Sequence, residues 1–297
     1  MILVRVFFSL LIVGPLVLGV INFVQNRTIE LPGKTKNYTV LINSAILYAI
    51  AYNVIFFIQE LFLVLGKNSL GLTAYLYHNN HSWDGVHAMT ALMQGLGALA
   101  IFVTGLLCLG WFFLIRSSTS LWKVLLLWLA FQGLIQSIPQ VVIGYFDPNT
   151  DVGQALVGYL NITENLLVAL SVVSIVATAL VSIGFSRLLL ETAPTFVELD
   201  NAKMRLAYIR FIAVGAGLLG CVLLIPFRIL PVSQIVGPFI LFAFSVPWIW
   251  SIAGILAPTN SYPNDINDKI RWEPVLLLVL LLIVFRAVLA PGVTFTA

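Results

Sequence analysis

Charge is scarce in this chain. Fifteen basic and twelve acidic residues among 297 amount to 9 %, where a soluble domain carries roughly a quarter. With 60 % of residues apolar and a mean hydropathy of +1.04, most of the surface must face lipid rather than water. The net charge of +3 is small and scattered, which excludes a nucleic-acid surface. Cysteine is nearly absent too. Cys108 and Cys221 each lie inside an apolar run, so a disulfide framework is excluded and both read as small buried hydrophobes. Histidine occurs three times, too few for the histidine boxes of membrane desaturases or for a pair of bis-histidine haems. No HExxH motif occurs, so a zinc membrane protease of that kind is unsupported. The "GFSR" at 184–187 offers a serine with no histidine on its side of the membrane.

Long apolar stretches are what the chain does have. Eight reach the length of about 20 residues that a hydrocarbon core requires: 2–25, 41–66, 88–115, 121–145, 165–190, 204–230, 232–257 and 274–290. None alternates with the period of a barrel strand, and only helices otherwise satisfy their own backbone in lipid. The expected fold is therefore all-α, a polytopic transmembrane bundle forming one domain over 1–297 with no soluble domain. Met1–Leu18 has the look of a signal peptide. It lacks a clear small-residue cleavage site and its apolar run continues to Val24, which predicts a retained anchor. Turn-forming stretches such as "LPGKTKN", "FDPNTD" and "APTNSYPND" join the spans. Pro231 in "FRILPVSQ" separates the sixth from the seventh, and "DVGQALVGYLN" (151–161) is too short to cross.

Eleven Lys and Arg residues fall on the side that holds the loop 26–40. Four (Arg5, Lys67, Arg228 and Arg286) fall on the other. The positive-inside tendency makes the first side cytoplasmic, in a plasma or inner membrane, and places residues 67–87 and both termini outside. Arg228 and Arg286, near helix ends, are expected to snorkel outward.

All three histidines lie in "YLYHNNHSWDGVH" (75–87). His78, His81, Asp84 and His87 recur every third residue, a spacing that a straight helix would spread around its circumference. Asn79-Asn80 and Asp84-Gly85 are turn formers, so an irregular loop is expected here, able to converge its side chains. Neutral imidazole and carboxylate are standard zinc ligands, and three protein ligands with one open position define a catalytic site. Glu60, about one and a half turns before the second span ends, sharpens this reading. A carboxylate at that depth costs about 2 kcal/mol or more unless paired, protonated or metal-bound, and Asn53 lies on the same helical face. The expected metal ligands are thus Glu60, His78, His81 and His87, with Glu60 or Asp84 as base and zinc as the cofactor. Asp147, Asp151 and Glu164 fall on the same side by topology and could cover that site.

Two functions follow. One is a zinc-dependent membrane hydrolase acting on a lipid or peptide at the outer interface. The other is a transporter, or a structural subunit with a non-catalytic histidine loop, in which Gln132, Gln136 and Gln140 line one inward face of the fourth span. The bilayer is the expected partner of either, together with another membrane protein or a second copy of this chain.

Overall fold

The computed structural model describes residues 2–26, 34–115, 117–118, 120–194, 197–229, 231–256 and 269–296. Arg27, Arg116 and the loop 257–268, on which part of the sidedness argument rests, lie outside the described residues.

Eight helical segments are long and apolar enough to cross a membrane: Val4–Gln25, Tyr38–Asn68, Thr90–Ile115, Trp122–Phe146, Glu164–Leu190, Ala202–Phe227, Val236–Ala253 and Trp272–Leu289. They match the eight apolar stretches one for one, and the protein is an all-α, multi-pass membrane bundle. The second and fourth spans form its middle, each with 67 % of its apolar window buried, whereas the third and eighth bury 17 %. Around the second span pack the third, fourth, sixth and eighth, and the first leans on the seventh. Lipid tails are as apolar as leucine, so close packing and interhelical hydrogen bonds hold such helices together. Tyr48, Trp128, Phe131 and Phe185 form an edge-to-face chain with centroids 5.1 to 5.6 Å apart. The third and fourth spans approach most closely at Gly105 and Gly133, where a Cβ on Gly133 would lie 2.7 Å from the Gly105 Cα.

Pro139 ends one helix of the fourth span at Ser137 and starts the next at Gln140. Beyond the sixth span the chain makes a single 3-10 turn, Ile225–Phe227, and then an irregular corner before Val236. Residues 151–161 lie between spans, as their length required. A helical turn at Asp151–Gly153 runs into a π-helical segment, Gln154–Tyr159, and Asn161 ends it with φ of 49°.

The stretch 75–87 departs from expectation. It is a β-hairpin rather than an irregular loop. Strand β1 (Thr73–Leu76) pairs antiparallel with β2 (His81–Asp84), and β1 also pairs with β3 (Val293–Phe295). "TAYL" and "HSWD" carry the aromatic and β-branched residues that suit a half-buried pleat, and Asn79-Asn80 serve the connecting turn, closed by Tyr77 N–H donating to the Asn80 carbonyl at 2.9 Å. Gly292 (φ +94°) brings β3 in beneath the Tyr77 ring, where a Cβ would sit 2.6 Å from a ring carbon. Val64, Ala74, Leu76, Phe227, Phe285 and Leu289 form a small core under this sheet. An open sheet edge cannot lie in hydrocarbon, so this end of the bundle sits at the membrane–water interface.

Candidate functional site

Pairing by twos divides the histidines. His81 and Trp83 point to one face of β2, toward the end of the second span, and their rings stack with centroids 6.0 Å apart and planes at 15°. His78 belongs to the turn instead. It is fully buried, stacks on Phe285 at 6.0 Å, and its Nδ1–H donates to the Phe285 carbonyl at 3.2 Å. His87 lies past the hairpin and is exposed, its Nδ1 accepting from the Met89 amide at 3.1 Å. Asp84 is also exposed and accepts from the Tyr75 hydroxyl at 2.7 Å. Of the five residues the sequence offered, Glu60 and His81 come together and His78, Asp84 and His87 do not join them. Among the described residues no group of three or more His, Cys, Asp or Glu is arranged to hold a metal ion. A β-pleat and a turn, unlike a free loop, impose directions on their side chains, and here those directions diverge.

What surrounds Glu60 and His81 is a set of buried charges and amides. Glu60 is 4 % exposed, and its Oε2 lies 2.7 Å from His81 Nδ1. His81 Nε2 lies 3.2 Å from Gln94 Oε1. The same Gln94 oxygen accepts from Lys67 Nζ at 2.8 Å, and Lys67 also donates to the Leu63 carbonyl at 3.2 Å. Lys67 is fully buried, with its ammonium 4.5 Å from the centre of the Trp83 ring. An ammonium has donors only, so Gln94 must turn its oxygen toward Lys67 and hence toward His81. Both ring nitrogens of His81 then face oxygens. The arrangement is a carboxylate, an imidazole, a shared amide oxygen and a lysine amine, gathered near the end of the second span.

Asp151, at the start of the short helical turn between the fourth and fifth spans, lies close enough to feel these charges. Burial pushes its carboxyl above the ordinary aspartate value. The His81 charge draws it back down, Glu60 raises it, and Lys67 lowers it. Lys67 and Gln94 were legible only in outline. In sequence Lys67 reads as a candidate partner of Glu60 at the same span end, and Gln94, in "MQGLGALA", as part of a close helix contact near the histidine stretch. Nothing in a linear spacing announces that one amide oxygen will join them.

One turn deeper, Arg228 is 1 % exposed and does not snorkel. Its Nη2 donates to Asn53 Oδ1 at 2.9 Å, and its guanidinium carbon lies 3.9 Å from the centre of the Phe56 ring and 5.0 Å from that of Tyr52. Asn53, Phe56 and Glu60 share a face of the second span, so the inward polar stripe inferred from Asn53 and Glu60 is present. Its partner comes from the corner after the sixth span. Arg286 reaches the Pro226 carbonyl.

The glutamines of the fourth span make a separate ladder. Gln136 donates to Gln132 Oε1 at 3.1 Å, and Gln140 donates to Gln59 Oε1 at 3.1 Å and to the Gln136 carbonyl at 2.8 Å. They face inward, as their spacing required, and their hydrogen bonds join the second and fourth spans.

Beside the charged cluster runs a groove of about 640 Å³. Leu92, Met93 and Gly95, around Gln94 in the chain, and Val152, next to Asp151, are among its lining residues, whereas Glu60, Lys67, His81 and Gln94 are not. No family model, no curated protein and no solved structure matches this chain.

Proposed function

We propose that this multi-pass membrane protein is an acid–base enzyme that hydrolyses an ester or phosphoester at the membrane interface, with the hairpin end outside the cell. The observation that carries the reading is the buried Glu60–His81 contact of 2.7 Å, made where Lys67 and Gln94 add a second basic group. Structural hydrogen bonding does not require a histidine and a lysine on one amide oxygen in a chain with so few charges. Sites that shift protons hold such groups in unlike environments.

Each residue has a role in that chemistry. Asp151, whose carboxyl burial makes more basic, takes a proton from water as the water oxygen bonds to the acyl carbon or phosphorus. The bond to the leaving oxygen breaks as His81 Nε2 delivers its proton there, which completes an acid and an alcohol from ester and water. Glu60 orients the ring through Nδ1 and stabilises its charge before the transfer. Lys67, held by Gln94 and Leu63, supplies positive potential for the oxyanion formed between these steps. The proton left on Asp151 returns to His81 through water. Zinc has no part in this scheme. Its expected ligands are dispersed, and a cation beside Gln94 would meet the Lys67 ammonium.

The test uses the full-length protein in nanodiscs of mixed membrane lipids, with products followed by mass spectrometry. Wild type should release acid or alcohol from at least one lipid class, insensitive to chelators, and His81→Asn should lose that turnover while unfolding at the same temperature. Absence of product across glycerolipids, phospholipids and acylated peptides would overturn the reading. Stoichiometric zinc that His81→Asn releases would replace it with the metal-dependent form.

A further inference from the structure

The groove beside the cluster says what kind of molecule presents the scissile bond. Its walls are Leu96, Leu99 and Phe102 of the third span, Val141 of the fourth, and Val173 and Ala177 of the fifth. It is open to the surrounding lipid, for Leu99 is 57 % and Val173 63 % exposed. From Leu92 beside Gln94 to Phe102 the third span advances ten residues, about 15 Å of helix. That is about half the hydrocarbon thickness of a bilayer. The groove therefore starts at the interfacial charges and ends near the membrane midplane, the depth of one leaflet.

We infer that this groove holds a single acyl chain of a membrane lipid, with the lipid's ester or phosphoester at the groove end formed by Leu92, Met93 and Val152, where Met93 and Val152 adjoin Gln94 and Asp151 in the chain. The inference rests on the enzymatic reading only for what happens to the bond; occupancy of the groove is independent of it. Chemistry fits the occupant at both ends. The walls are apolar except for Ser137 and Ser174, whose hydroxyls are already bonded to backbone carbonyls. The end at Met93 and Val152 adjoins the polar residues Gln94 and Asp151 in the chain, where an oxygen-rich head would lie. A chain leaving bilayer for groove gains little hydrophobic free energy, since lipid already surrounds it. Binding strength thus comes from the head, and the groove sets register, deciding which bond along the lipid reaches His81.

A second groove, about 440 Å³ between the first, sixth and seventh spans, serves as the internal control. It includes Leu41, which stands 19 residues before Glu60 on the second span, about 28 Å away along the helix, and among the described residues the one charged side chain that lines it is Arg210.

The experiment labels full-length protein in nanodiscs with a phospholipid bearing a photoreactive group at the end of one acyl chain. Label should concentrate near Phe102 and Ala177 over the lipid-facing Leu106, Leu107 and Leu180. Ala177→Trp, which fills the groove from the fifth span, should bring it down to their level without changing labelling around Leu41. Ala98→Trp narrows the same space from the opposite wall and serves if the first variant does not fold. Uniform labelling of wild type along the lipid-facing helices would overturn the inference whatever the variants do. Turnover adds a second readout: Ala177→Trp should lose activity on long-chain esters and keep it on short-chain ones. Enriched label without turnover in wild type would keep the chain site and remove the enzyme. Turnover without enriched label would do the reverse.

Discussion

The glutamines of the fourth span and the titratable groups at the end of the second are both hidden from lipid, yet they are held in opposite ways. Gln132, Gln136, Gln140 and Gln59 are neutral amides in which Gln136 donates to Gln132 and Gln140 donates to Gln59 and to a backbone carbonyl, while the buried Gln132 amide nitrogen has no hydrogen-bond partner among the described residues. Nothing about them demands a proton. Glu60, His81, Gln94 and Lys67 crowd titratable groups together, so that a single amide oxygen lies against both an imidazole nitrogen and a lysine amine. The first set resembles packing that happens to be polar. The second keeps titratable groups where burying charge costs most, and its Gln94 lies between Met93 and Gly95, which line a groove. Intramembrane polarity alone therefore does not mark a site; unbalanced, titratable polarity next to open space does.

The sharpest way to break this contrast is to exchange losses between the two sets. Glu60→Gln and His81→Asn should each cut turnover by about 10²–10⁴-fold. Glu60→Gln should also lower the unfolding temperature, because it removes the buried carboxylate from beside His81, whereas His81→Asn keeps an amide donor for Glu60. Equal losses in Gln136→Leu would erase the distinction. Next in size is Lys67→Met. It should slow the reaction by about 100-fold, the scale of a lost oxyanion donor, while stability changes by no more than about 1 kcal/mol, because the cost of burying the ammonium goes with it. Gln136→Leu itself should cost about 1 kcal/mol, the scale of an interhelical hydrogen bond, read as an earlier unfolding transition with kcat preserved.

Asp151→Asn should cut turnover on the scale of a lost general base, and on stability it gives a smaller, pH-dependent effect. The folded protein holds that carboxyl above its ordinary value, so it binds a proton more tightly folded than unfolded. Its ionisation then subtracts stability as pH rises above the unfolded value through the folded one, and nothing is lost below both. The variant should gain stability over wild type at neutral pH and match it near pH 3, in parallel thermal melts. A constant offset at both pH values would show that Asp151 does not titrate between the two states. Smallest of all, Asp84→Asn with His87→Ala should change neither turnover nor stability by more than about 0.5 kcal/mol, as surface substitutions do.

The candidate site was half legible. Glu60 stood out because an acid inside an apolar run is costly, and His81 because histidines were so few. The pairing of these two was expected, whereas the third and fourth members were expected to be His78 and His87 and are Lys67 and Gln94. The error traces to Tyr77-His78-Asn79-Asn80, which looked like the middle of a pliable loop and is the turn of a hairpin. A hairpin sends His81 inward and sets His78 against Phe285. The strand that completes the sheet comes from Val293–Phe295, more than 200 residues away, and no local pattern could have supplied it.

Hydropathy and length alone determined that this is an eight-span helical membrane protein, because a bilayer requires apolar stretches of that length and helices that satisfy their own backbone, whatever the neighbours. Tertiary structure alone decided which polar groups meet. Contacts between Glu60, Lys67, His81 and Gln94 join a span, a strand and a second span, and their geometry depends on directions that β-pairing and helix packing impose from far along the chain.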